Sequence, residues 1–160
     1  MSIGSTNIVV TEFGIRPSGI SAPADLSAFS GLGKLEDLDV TSFTWFEGTL
    51  MNLPRLKRLS LNQHCSTWPN VFDMRAVSCL PQLTTLEIWA GDHDTTLHPL
   101  LGLSGLEHLT LKDLHARDWD VLGELVNLKS LVVRTTDDVD GIDFGKCTKL
   151  ETLDVIQKRI

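Results

Sequence analysis

Aliphatic side chains recur along this chain first three residues apart and then two apart, and the whole pattern returns. It reads Phe29, Leu32, Leu35, Leu38, Val40, then Leu50, Leu53, Leu56, Leu59, Leu61, then Val77, Leu80, Leu83, Leu86, Ile88. Three further copies follow: Leu100, Leu103, Leu106, Leu109, Leu111; Leu122, Leu125, Leu128, Leu131, Val133; and Phe144, Cys147, Leu150, Leu153, Val155. Residues three apart share a face of a short helical turn, and residues two apart share a face of a strand. Each copy is therefore expected to fold as a short helix or 3-10 turn, a bend and a strand, with its aliphatics turned to one interior. The strand leucines Leu38, Leu59, Leu86, Leu109, Leu131 and Leu153 are 21, 27, 23, 22 and 22 residues apart, close to the period of about 20 to 29 of leucine-rich repeats. Ile8-x-Val10 is expected to add a seventh strand before the first copy.

Polar positions support the same register. Asp25, Asp73, Asp118 and Asp140 stand seven residues before Leu32, Leu80, Leu125 and Cys147, and Thr96 stands seven before Leu103. Asp and Thr accept hydrogen bonds from the free N–H groups of a helix's first turn, so each is a predicted cap. Only the second copy breaks the rule, with Phe46 at this position. Pro54 and Pro81 share a phase just before the strand, where proline ends a helix and sets up extended chain. The stretch from Asn62 to Ala76 is longer than its counterparts and reads as an inserted surface loop carrying Trp68-Pro69-Asn70.

Asp25-Leu-Ser-Ala-Phe-Ser-Gly-Leu-Gly-Lys-Leu-Glu-Asp-Leu-Asp-Val40 and Asp118-Trp-Asp-Val-Leu-Gly-Glu-Leu-Val-Asn-Leu-Lys-Ser-Leu-Val-Val133 resemble the bacterial, internalin-like leucine-rich repeat. The resemblance spans roughly residues 25 to 155. It implies an α/β fold, a right-handed leucine-rich-repeat solenoid with a curved parallel sheet on the concave face and short helices or 3-10 turns on the convex face. Residues 1–24 would form an N-terminal strand and cap, with Ile8, Val9, Val10, Phe13 and Ile15 covering the first repeat, and residues 25–160 the solenoid. The sequence departs from that repeat where an Asn normally follows the strand, since Phe43, His64, Gly91, Leu114 and Thr136 occupy the position.

If the Leu-x-Leu side chains point inward, the residues before, between and after them form three outward columns. The first is Asp37, Arg58, Thr85, His108, Ser130, Thr152; the second Asp39, Ser60, Glu87, Thr110, Val132, Asp154; the third Thr41, Asn62, Trp89, Lys112, Arg134, Ile156. Trp and Arg dominate binding hot spots, so Trp89, Lys112 and Arg134 are the leading partner-binding candidates, with Asn62, His108, Glu87 and Asp39 around them. Trp89 and Lys112 are placed for cation–π contact. The alternative for Trp89 is a loop folded over it. Asp37, Asp39 and Glu87 toward one end, with Lys112 and Arg134 toward the other, suggest a bipolar face that would orient a charged partner.

Composition narrows the partner. A net charge of −7 with pI about 5.1 disfavours nucleic acid, whose phosphates need clustered Lys and Arg. No apolar run approaches the roughly 18 residues of a membrane span, and no secretory signal is read at the N-terminus. Cys65, Cys79 and Cys147 lack metal-ligand spacing and point to a reduced, cytoplasmic setting. No cofactor or metal is expected. Thr136-Asp-Asp-Val-Asp-Gly141 lacks the anchoring carboxylates of a calcium loop, Gly91-Asp-His-Asp94 with His98 reads as a polar turn, and the adjacent pair His64-Cys65 would point apart on extended chain. The chain is read as a protein-binding scaffold and not an enzyme. The alternatives are an immunity or inhibitor protein masking a toxin or enzyme, and a structural fragment of a larger repeat protein; the oligomeric state stays open.

Overall fold

The structure, a computed structural model, describes residues 7–13, 24–42, 46–63 and 73–157. Seven strands among them form one sheet: β1 (Asn7–Phe13), β3 (Asp37–Ser42), β5 (Arg58–Gln63), β6 (Thr85–Thr95), β7 (His108–Ala116), β8 (Ser130–Thr135) and β9 (Thr152–Gln157). They lie in chain order and every neighbouring pair is parallel. Parallel strands cannot be joined by tight hairpins, so the chain returns over the convex side each time. The 3-10 helices η1 (Leu26–Phe29), η2 (Met74–Ala76), η3 (His98–Gly102) and η4 (Trp119–Glu124) lie on four of those returns. The curved parallel sheet and convex 3-10 turns are those of a leucine-rich-repeat solenoid.

The register joins Ile8, Leu38, Leu59, Leu86, Leu109, Leu131 and Leu153 into one line across the sheet. From Leu38 to Leu131 these leucines are buried, as are Val40, Leu61, Ile88, Leu111 and Val133 beside them. A side-chain period of two makes such a register hard to slip, because one step would turn the whole interior outward.

The Leu-x-x-Leu step before each strand is a hydrogen-bonded turn. The amides of Leu35, Leu56, Leu83, Leu106, Leu128 and Leu150 donate to the carbonyls of Leu32, Leu53, Leu80, Leu103, Leu125 and Cys147 at 2.9 to 3.1 Å. Pro54 and Pro81 occupy the first central position of that turn, where a fixed φ is already suited. Just beyond it the carbonyls of Glu36, Lys57, Thr84, Glu107 and Lys129 each accept two amides of the next repeat, such as those of Lys129 and Ser130 on Glu107. The repeats are thus stitched together before each strand begins.

The caps divide. Asp25 accepts from the Ser27 N–H and Asp73 from the Arg75 N–H, both at 2.9 Å, as expected of N-caps. Asp118 does not cap its own helix; it reaches back one repeat to accept from Leu97 N–H and His98 N–H at 3.0 Å and from the Thr96 hydroxyl at 2.6 Å. Thr96 therefore donates where it was expected to accept. Asp140 caps nothing: its amide donates to Asp138 in a local turn, and no helix follows among the described residues. Phe46 marks a real exception, because β4 (Phe46–Glu47) pairs with β2 (Ala24–Asp25) and no helix follows it before β5.

Two expectations about the core are corrected. Leu32 is 40% exposed, against 1 to 2% for its equivalents Leu53, Leu80 and Leu103, since among the described residues no earlier repeat lies over it. Leu153 and Val155 are 48% and 38% exposed, because β9 pairs on one side only. The side chains of Val9, Val10 and Phe13, Ile15, the Trp68-Pro69-Asn70 segment and the His64-Cys65 pair lie outside the described residues.

Candidate functional site

Each outward column of the sequence reading is a line of registered residues. Across β5 to β9, Asn62, Trp89, Lys112, Arg134 and Ile156 stand side by side, at the strand spacing of about 4.8 Å. Asp37, Arg58, Thr85, His108, Ser130 and Thr152 are likewise aligned, as are Asp39, Ser60, Glu87, Thr110, Val132 and Asp154. Trp89, Lys112, Asn62, Glu87 and Asp39 are half-buried, whereas Arg134 and His108 are exposed. A bulge between Trp89 and His93 lets β6 and β7 run on past the other strands and pair again at Asp94 and His115.

The bipolar face expected from the sequence is largely cancelled by pairing within the sheet. Lys112 Nζ lies 2.7 Å from Glu87 Oε1, and Arg58 Nη1 lies 3.1 Å from Asp37 Oδ1. Each pair joins neighbouring strands, with the cation on the later repeat. Both could have been anticipated from the register: Asp37 and Arg58 are directly opposite, and Glu87 and Lys112 are diagonal neighbours. Arg134 has no hydrogen-bond or ion-pair partner among the described residues. Asn62 Nδ2 donates to Ser60 Oγ at 3.3 Å on its own strand, where Ser60 is buried.

Sequence reasoning missed how the bends are held where the Asn is lacking. Leu114 fills that position as a buried core residue, and the buried Thr135 hydroxyl donates to the Leu114 carbonyl at 2.9 Å. Asp137 accepts three hydrogen bonds from the preceding repeat: His115 Nδ1 at 2.6 Å, Ala116 N–H at 2.8 Å and Trp119 Nε1 at 2.9 Å. Burial pushes the Asp137 carboxyl up, but these three donors outweigh it and hold it below the usual carboxylate value. Asp118 behaves likewise, with burial opposed by Thr96, Leu97 and His98.

Among the described residues, the groups weighed for catalysis or metal binding do not assemble. Asp137 faces His115, and Asp138 and Asp143 accept from the amides of Asp140 and Gly145. No group of three or more potential metal ligands gathers among the described residues. Cys147 is buried in a core position, near the carbonyls of Leu122, Gly123 and Leu125 at 3.5 to 3.6 Å. Burial, with Glu124 and Asp143 nearby, pushes its thiol up, away from the reactive thiolate. No helix among the described residues is long and apolar enough to cross a membrane.

A registered leucine interior and a stitched turn in each copy define a leucine-rich-repeat solenoid. The structure is similar to that of an internalin (inlF) from Listeria monocytogenes strain 4b F2365, with a TM-score of 0.60 and 24% identity over 82% of this chain and 38% of that one. It also matches an internalin C2 (inlC2) of the same strain at 15% identity and a TM-score of 0.49, covering 97% of this chain and 74% of that one. This chain thus spans well under half the length of inlF. No family model and no curated protein matches the sequence.

The cytoplasmic setting expected from the cysteines is corrected. Internalins are extracellular or surface-anchored bacterial proteins. The thiols do not speak for a compartment either: Cys147 is free because it is enclosed in the core, and Cys79 because it lies exposed three copies away.

Proposed function

We propose that this chain is a non-catalytic scaffold that binds a protein partner on its concave sheet face, centred on Trp89, Lys112 and Arg134. The observation that carries the reading is the registered line Asn62, Trp89, Lys112, Arg134, Ile156, which sets an aromatic, two cations and an aliphatic side by side on a rigid sheet. Such a line resembles a hot spot, where a few aromatic and Arg side chains supply most of the affinity. His108 and Asp39 would lie at the edges of the contact, and Glu87 would act through Lys112.

Affinity capture from the native host, repeated with Trp89→Ala and Arg134→Glu, tests the reading. Each substitution should weaken capture of the same partner by at least about tenfold, the order of a single hot-spot contact. Capture unchanged by both, with the fold intact, would abandon the concave face as the binding surface.

A narrower version takes the partner to be a toxin or enzyme that the face masks. The net charge of −7 favours a basic partner of that sort, since complementary charge speeds encounter. It requires that the captured partner have an activity and lose it in the complex.

A further inference from the structure

Three outward cations lie on the described concave strands, and two are already spoken for. Arg58 is bound to Asp37, and Lys112 to Glu87. Arg134 is exposed and has no carboxylate against it among the described residues. The acidic groups that follow it on the same repeat are engaged: Asp137 holds His115, Ala116 and Trp119, and Asp138 accepts from the Asp140 amide. On β9, Asp154 is registered with Val132 and so stands diagonal to Arg134, but no ion pair joins the two.

Arg134 stands between Lys112, its registered neighbour on β7, and an aliphatic flank on the other side. Val132, two residues earlier on β8, shares its outward face and is half-buried. Ile156 is directly opposite on β9 and is 41% exposed. A guanidinium is weakly hydrated, presents two parallel N–H donors, and binds a carboxylate in a fork more strongly than a neutral acceptor. The two aliphatics would shield one flank of that fork from water and gain from being covered themselves.

Resting on the concave-face reading above, we infer that Arg134, Val132 and Ile156 form a receptor for an acidic side chain flanked by apolar residues on the partner. The carboxylate takes the guanidinium, and its apolar neighbours cover Val132 and Ile156. The net charge of −7 repels an acidic protein at long range, so the recognised residue belongs to a partner that is otherwise neutral or basic. The selectivity is local and distinct from the overall attraction.

The test uses two blocked tripeptides, acetyl-Leu-Glu-Leu-amide and acetyl-Leu-Gln-Leu-amide, titrated into isotope-labelled protein. NMR follows the Arg134 Nε–H and the backbone amides of Val132 and Ile156. The Glu peptide should saturate these shifts at about tenfold lower concentration than the Gln peptide. Arg134→Met should abolish the difference, and Arg134→Lys, which keeps the charge but not the fork, should retain only part of it. Equal response to both peptides, no response to either, or a preference that survives Arg134→Met overturns the inference. The two readings fail separately: lost charge selectivity in a protein whose partner capture still depends on Trp89 removes only the receptor. Intact selectivity with capture indifferent to Trp89 and Arg134 removes the concave-face reading and, with it, the receptor's part in binding that partner.

Discussion

The Asp137 carboxylate stands 2.6 Å from Nδ1 of His115, a residue of the preceding repeat. The same carboxylate accepts the Ala116 amide and the indole N–H of the buried Trp119. One acidic side chain thus ties the end of β7 to the start of η4. Asp118 makes the equivalent tie one repeat earlier, to Thr96, Leu97 and His98. In both, an anion meets backbone N–H left over at a bend, that of Ala116 for Asp137 and those of Leu97 and His98 for Asp118.

Asp137→Ala should therefore destabilise the fold by about 2 to 3 kcal/mol, because it strands a partly buried indole N–H and a backbone N–H without an acceptor. Asp137→Asn, which keeps one carbonyl oxygen, should lose roughly half as much. Urea midpoints of the three proteins check this. Equal, sub-kilocalorie losses would mean that the bend is held by its packing alone.

Acid should act through the same groups. Asp118 and Asp137 have folded-state values below the ordinary carboxyl value of 3.8, so the folded state binds their protons less readily than the unfolded chain. Their contribution is then complete above the ordinary value and is lost as pH falls below it through the depressed folded values. Urea midpoints measured from neutral to strongly acidic pH should be level at first and then drop. The Asp118→Asn, Asp137→Asn double variant should start lower and drop less steeply. Parallel acid limbs in the two proteins would refute this linkage.

Equivalent leucines should not have equal weight. Leu131 is fully buried between β7 and β9, whereas Leu153, at the same phase one repeat later, is 48% exposed. Leu131→Ala should cost about 2 to 5 kcal/mol through lost burial and a residual cavity, and Leu153→Ala less than about 1.5 kcal/mol. Thermal or urea unfolding of the two variants decides the point, and similar losses would show that the β9 edge is covered in solution.

The contrast shows what the sequence could and could not reveal. A period-two strand flanked by phased turns dictates the register, so Leu38 to Leu153 and all three outward columns could be read directly. Exposure at the ends could not, because Leu32 and Leu153 carry the same signal as their buried equivalents and differ only in what stacks on them. The ties made by Asp118 and Asp137 were hidden for another reason. Asp before a helix normally serves its own first turn, and nothing local signals that the side chain will turn back to the previous repeat. For the candidate site, the positions of Trp89, Lys112 and Arg134 were legible from alternation alone. Which of their charges stay free depended on pairing across strands, and only Arg134 is left without a partner among the described residues.

Glu87 and Lys112 supply the last prediction, because their ion pair sits between Trp89 and Arg134 on the candidate face. Their side chains are 32% and 27% exposed and the contact is 2.7 Å, so the pair is screened by solvent only in part. Exposed pairs couple by about 0.2 to 1 kcal/mol, and this one should fall toward the upper end. The two single substitutions are not equivalent. Glu87→Gln leaves Lys112 uncompensated in register with Arg134, two like charges on adjacent strands, which is destabilising. Lys112→Met removes that repulsion along with the pair and adds an apolar stem beside Trp89. Glu87→Gln should therefore cost about 1 kcal/mol and Lys112→Met distinctly less. Once Lys112 is Met, adding Glu87→Gln should change little. A double-mutant cycle at low and high salt measures this, and coupling that vanishes at low salt, or equal single-variant losses, would contradict the pairing. If the pattern holds, Glu87→Gln also leaves Lys112 as a second unpaired cation beside Arg134, and its affinity for an acidic peptide should rise as its stability falls.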